Sequence, residues 1–192
     1  MTRPTVQVCI AETSDLERLI PLWIALRTQS GQTLQWAQRA ARDGRMQAAL
    51  AREDVRILLA TCDGQDAGYA VATISPLSGL AEEQAVWIDQ MWVSPQHRGA
   101  GVAKALLVQV CERAEELGCA QVVCFVPVAE RSANRYFAKL GFAGVLTVRT
   151  TSTASLRRTL VGHADPTGAA TVRQRRSLRA RSQDKVKVAG TL

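Results

Sequence analysis

The chain has 192 residues, 47% of them hydrophobic and 21% charged, with 24 Lys/Arg, 17 Asp/Glu and a formal net charge of +7. This length suits one well-buried domain and is short for two, and the composition is that of a soluble globular protein. Five cysteines without a Cys-x-x-Cys pair read as reduced core thiols, and no apolar stretch reaches signal-peptide or membrane length, so the expected setting is cytoplasmic and secretion or membrane insertion is not expected.

Residues 6–11 predict a first strand. Ser14, with Glu17 three residues on, has the spacing of a capping box, and Leu16, Leu19, Ile20, Trp23 and Ile24 form the apolar stripe of the helix behind it. A second helical stretch spans about 33–52, with Gly44 as a point of division. Residues 55–62 and 67–75 predict strands joined by the turn residues 63–66. After a Pro/Ser/Gly loop, 85–93 predicts the next strand, 102–117 a helix ending at Gly118, 121–126 a strand, 130–140 an aromatic helix capped by Gly141, and 143–150 a last strand. Strands alternating with helices behind an antiparallel early sheet predict a mixed α/β (α+β) fold.

The segment Met91-Trp-Val-Ser-Pro-Gln-His-Arg-Gly-Ala-Gly-Val-Ala-Lys104 runs from an apolar strand through a glycine-bearing turn into a helix whose face repeats Ala103, Leu106, Leu107, Val110 and Ala114. Gly99 and Gly101 let the backbone turn sharply, and the free amides of the first helical turn can then face an anion. The same two glycines also suit a plain strand-to-helix turn. The spacing matches neither the dinucleotide fingerprint nor the P-loop.

Arg98-x-x-Gly101-x-Ala103 resembles the Arg/Gln-x-x-Gly-x-Gly/Ala signature of the GNAT superfamily of acyl-CoA N-acyltransferases; Gln96-x-x-Gly99-x-Gly101 fits the same pattern two residues earlier, and the distance from Val93 favours Arg98. Residues 130–142, with Tyr136-Phe137 ahead of Leu-Gly-Phe142, resemble a later motif of that family in the same order. The resemblance covers about residues 5–156. It implies the GNAT fold, a central mostly antiparallel sheet with helices on both faces, in a domain over 1–160, and acetyl-CoA as cosubstrate without a metal. The pyrophosphate would lie on the backbone amides of Gly99, Ala100, Gly101, Val102, Ala103 and Lys104, with Arg98 and Lys104 as added or merely surface cations. The pantetheine would pair with the backbone of Met91, Trp92 and Val93, and Asn134 and Phe137 would complete the cofactor-binding set.

The resemblance further implies N-acetyl transfer to a primary amine of a small molecule or a protein, directly in a ternary complex. Asp89, in an otherwise apolar strand and by alternation on the face of Met91 and Val93, is the candidate base; a salt bridge or hydrogen bond to a neighbouring loop is its alternative use. Phe137 stands where many members carry the tyrosine acid, and Tyr136 is turned about 100° away on the helix, so tyrosine acid catalysis is not expected. Cys124 is read as a structural thiol rather than a nucleophile. The loops around 30–33, 76–84 and after 147, with Trp36, Trp87 and Trp92, are where the acceptor would be selected.

The charge is uneven. Nine Lys/Arg and two Asp follow residue 156, leaving fifteen basic and fifteen acidic residues before it. Residues 161–192 read as a linker and basic tail, disordered or a short helix, whose cluster from Arg173 to Arg181 could contact nucleic acid phosphates. The run 156–160 and this cluster resemble the ends of some actinobacterial members of the family. Two alternatives to catalysis therefore stay open: a non-catalytic acyl-CoA-binding regulatory module, and a nucleic-acid-associated protein acting through its tail. A monomer or a homodimer is expected.

Overall fold

A computed structural model describes residues 4–80, 82–145 and 148–162. Its internal contacts form two compact units, 1–136 and 137–192. The first unit contains β1 (Val6–Ile10), α1 (Leu16–Gln29), α2 (Leu34–Ala41), α3 (Arg45–Leu50), β2 (Val55–Cys62), β3 (Gln65–Pro76), β4 (Gln84–Val93), α4 (Val102–Glu116) and β5 (Val122–Cys124); α5 (Arg131–Lys139) crosses the boundary and α6 (Thr153–Gly162) lies in the second unit.

The sheet runs β1-β2-β3-β4-β5, antiparallel throughout except for the parallel pair β4 and β5. Alternation gives it two apolar faces. Ile57, Leu59, Tyr69 and Trp92 point to one, where they meet Leu19, Leu22 and Trp23 of α1, Ala40 and Ala41 of α2 and Met46 of α3. Leu58, Ala60, Ala70, Ala72, Val86 and Ile88 alternate with them, and α4 lies on the sheet through Val102, Leu106, Leu107, Val110 and Ala114. Each of these helices is held by an apolar stripe, which supplies most of a short helix's stability.

The expected helix over 33–52 divides at Gly44, which adopts φ +81° as N-cap of α3, while Thr33 caps α2 by accepting the Trp36 N–H. The start of α1 differs from expectation: Asp15 and Glu12 form the capping box, around a 3-10 turn at Thr13–Asp15, in place of Ser14 and Glu17. The strand expected at 121–126 shortens to Val122–Cys124. No strand forms at 143–145 or 148–150; Val145 and Val148 are exposed, so the β-branched side chains there gain no burial from pairing. The sequence reading also missed α6, although Ser152 accepts the Ser155 N–H as a cap. The basic tail lies, from residue 163 on, outside the described residues. The cysteines are free, but only Cys62 is buried; Cys9 and Cys111 are exposed and Cys119 and Cys124 half-buried, which corrects the expectation of core thiols.

Candidate active site

The site is built on an irregularity in β4. β3 and β4 pair one to one from Gly68↔Val93 to Val71↔Gln90, and again from Ala72↔Ile88 to Pro76↔Gln84, so Asp89 has no residue opposite it. It is the extra residue of a β-bulge. Ala70 and Ala72 share a face, and therefore so do their partners Met91 and Ile88, three residues apart instead of two. Asp89 is thereby turned to the opposite face, with Trp87 and Thr73. Simple alternation had placed it with Met91 and Val93, and the bulge overturns that expectation. The Thr73 Oγ1 hydroxyl donates to Asp89 Oδ2 at 2.9 Å. Burial raises the Asp89 pKa above the usual carboxylate range, against the opposing pull of the Thr73 hydrogen bond and the charge of Arg52.

Beyond the bulge, β4 and β5 part. The parallel ladder covers only Val86↔Val122 to Ile88↔Cys124, closed by the Phe125 N–H donating to Ile88 O at 3.3 Å, while β4 continues to Val93. The Ser94 N–H donates to Ala67 O at 2.8 Å, so the peptide groups of Trp92 and Ser94 face β3. Those of Met91 and Val93 face the other way, toward the side β5 has left.

The turn that follows holds a 3-10 turn at Pro95–His97, then Arg98 in extended conformation and Gly99 at φ +82°. Gly101 is the N-cap of α4 at φ +95°, a left-handed conformation that L side chains adopt only with strain, and a Cβ there would meet nothing within 4 Å. The Gly101 carbonyl accepts the Ala105 N–H at 3.0 Å, which leaves the amides of Val102, Ala103 and Lys104 without an acceptor one turn back in the helix. The arrangement can receive an anion on backbone donors at the positive end of α4. Arg98 and Lys104 are exposed; Ala100 and Ala103 are half-buried and Val102 is buried.

A cleft of about 410 Å3 opens beside the bulge, lined by Thr73, Ser75, Trp87, Asp89 and Phe125 with the loop 76–79. Of the three tryptophans considered for an acceptor site, only Trp87 lines it. Trp92 is buried in the core and donates its indole N–H to Gln29 Oε1 at 3.0 Å, and Trp36 is stacked on Trp23. Thr73 and Phe125 were not singled out in the sequence, because their partners Asp89 and Trp87 are distant in the chain.

Two residues expected at the cofactor make contacts within the protein. Asn134 donates its amide to Pro127 O at 3.0 Å and Glu130 O at 2.9 Å, tying down the start of α5. Phe137, in the second unit, is buried with its ring edge-on to Phe142, centroids 5.1 Å apart. Burial raises the thiol pKa of Cys124 and the phenol pKa of Tyr136. Among the described residues no cluster of His, Cys, Asp and Glu could hold a metal ion, and no helix is long and apolar enough to cross a membrane.

The model of the acetyltransferase (GNAT) family matches residues 21–142. An uncharacterized N-acetyltransferase of Methanocaldococcus jannaschii is 24% identical over 91 residues, 47% of this chain and 40% of that protein. The glucosamine 6-phosphate N-acetyltransferase of Trypanosoma brucei brucei is 33% identical over 79 residues, 41% of this chain and 52% of that one. The matches thus span about half or less of these curated relatives. A solved structure of an aminoglycoside N-acetyltransferase in complex with CoA superposes with a TM-score of 0.62 at 20% identity, covering 78% of this chain and 95% of the other, which shows a shared fold.

Proposed function

Because this chain belongs to the acetyltransferase (GNAT) family, we propose that it transfers the acetyl group of acetyl-CoA to a primary amine, directly, in a ternary complex. The observation that carries this reading is the bulge, which turns Asp89 into a cleft beside the place where β4 and β5 part.

The amides of Val102, Ala103 and Lys104 at the start of α4, with those of Gly99 and Gly101 in the turn before it, receive the pyrophosphate, and Arg98 and Lys104 add charge from the surface. The Ala100 N–H is left out, since it donates to His97 O. The outward peptide groups of Met91 and Val93 pair with the pantetheine amides as an added strand would. Trp92 is left out of this pairing, since its peptide faces β3. Asn134 and Phe137 are left out as well, their side chains being engaged within α5 and its surroundings. Acetyl-CoA supplies the activated acyl group as a thioester.

Asp89 accepts a proton from the acceptor ammonium, so that the amine nitrogen can attack the carbonyl carbon as the C–S bond breaks. Its raised pKa makes it a stronger base than a surface aspartate, and Thr73 fixes its rotamer. Phe137 has no proton to give the departing thiolate, so the second proton, shed by the attacking nitrogen as the amide forms, passes to the thiolate through solvent. Cys124 takes no part: burial keeps its thiol protonated at neutral pH.

Calorimetric titration of the CoA-stripped protein with acetyl-CoA and desulfo-CoA tests the binding step. One-to-one binding to the native protein and its loss in Gly101→Glu is the expected result. A folded native protein that binds neither would overturn the reading. Direct transfer is tested by mass spectrometry of the enzyme after acetyl-CoA without an amine; an acetylated Cys124 would refute it.

A further inference from the structure

We infer that the acceptor is a cationic amine carried on a flat apolar or aromatic body without an anionic group, seated against Trp87 and Phe125. The inference rests on the acetyl-transfer reading and narrows its acceptor. Trp87 and Phe125 lie in stacked orientation, centroids 5.4 Å apart and planes at 25°, and the Trp87 indole N–H is pinned to Ser75 O at 3.0 Å. Phe125 keeps 48% of its surface exposed although it lines the cleft. A rigid aromatic wall left half open is suited to a flat ligand, since a further ring gains both burial and ring-to-ring attraction there. Backbone spacing sets the rest: Asp89 is two residues from Trp87 on the same face, about 6.5 Å along the strand. A ring on the wall with its nitrogen on a chain of one to three carbons spans that distance.

Charge argues the same way. Among the described residues, Asp89 is the one ionisable side chain lining the cleft, and that lining contains no Lys, Arg or His. Arg52, whose charge reaches Asp89, is already engaged by Asp54. The loop 76–84 carries Glu82 and Glu83 and no cation. An ammonium is drawn into such a site, whereas a phosphate or carboxylate on the acceptor would lie near Asp89 without a cation to offset it.

The test compares phenethylamine, propylamine and glucosamine 6-phosphate as acceptors for the native protein and for Phe125→Ala, a substitution at an exposed side chain. Phenethylamine should give the highest kcat/KM. Its KM should rise roughly tenfold in Phe125→Ala, with kcat, the KM for acetyl-CoA and the KM for propylamine little changed. A preference for glucosamine 6-phosphate, or an equal loss for ringed and ringless amines, would overturn the inference. Ligand-observed NMR of the same three amines gives a second readout that does not need turnover. If no amine is acetylated, phenethylamine binding that weakens in Phe125→Ala still supports the aromatic seat while the acetyl-transfer reading fails. Absence of phenethylamine binding would remove the seat itself.

Discussion

Replacing Gly68 by alanine places a methyl group where three elements converge. A Cβ on Gly68 would lie 2.5 Å from Trp92 O, 3.2 Å from Val93 Cα and 3.3 Å from Val102 Cγ1. An ordinary C···O contact is about 3.3 Å, so the β4 carbonyl must yield by about 0.8 Å. The atom concerned is backbone in the middle of a five-stranded sheet, with α4 closing the other direction, so no side-chain rotation relieves it. Overpacking of this kind costs about 1–3 kcal/mol, and at roughly 2–4 °C per kcal/mol for a chain of this size the melting temperature should fall by about 2–12 °C. The displaced segment is also the one assigned to pantetheine. Acetyl-CoA affinity should therefore fall along with stability, as read by a thermal melt and a calorimetric titration of the same preparation. Unchanged melting and unchanged affinity would refute the close crossing of β3, β4 and α4 on which the binding geometry depends.

Asp89→Asn should lower the transfer rate by about a hundredfold or more while leaving the melting temperature equal or higher, because the folded site disfavours the charged form; a large loss of stability would make Asp89 a structural ion instead. The raised pKa fixes the sign of two pH effects: the group favours folding below its unfolded pKa and loses that contribution as pH rises through the folded value, whereas activity should rise over that same upper range as Asp89 ionises. Thr73→Val removes the hydrogen bond that holds the pKa down, so the ascending limb of the pH–rate profile should move to higher pH, and an unmoved limb would assign it to another group. Gly101→Ala should cost about 1–2 kcal/mol through its left-handed backbone and weaken acetyl-CoA binding more than amine binding, seen in the two KM values.

The layout of the fold was legible where local chemistry and periodicity agreed. The stripe of α1, the division at Gly44 and the run from Met91 into α4 each rest on residues within a few positions of one another, so the sequence carries their signal directly. The cleft was not legible to the same degree, since Thr73 meets Asp89, and Trp87 meets Phe125, only through strand pairing. The segment after α5 misled for a related reason: residues 143–145 and 148–150 have strand-like composition, yet β propensity takes effect only when a partner buries one face.

Asp89 shows how one misjudged register changes the chemistry. Period-two counting back from Val93 and Met91 sends its carboxylate to their face, where α4 packs apolar side chains. There it would lose hydration with no hydrogen-bond donor in exchange, a strongly unfavourable burial. One extra residue in β4 exchanges that environment for a half-buried cleft, the Thr73 hydroxyl and the distant charge of Arg52. The carboxylate is then dry enough to be basic and supported enough to ionise. The same extra residue shifts the count along β4, so the peptide groups facing away from β3 are those of Val86 and Ile88 before it and of Met91 and Val93 after it. Deleting Asp89 should therefore separate base from cosubstrate edge. Ile88 and Gln90 already lie opposite the neighbouring residues Ala72 and Val71, so the shortened strand would pair β3 without interruption and keep the peptides of Met91 and Val93 outward. Acetyl-CoA binding should survive while transfer is lost, and loss of acetyl-CoA binding in a folded deletion variant would refute this register.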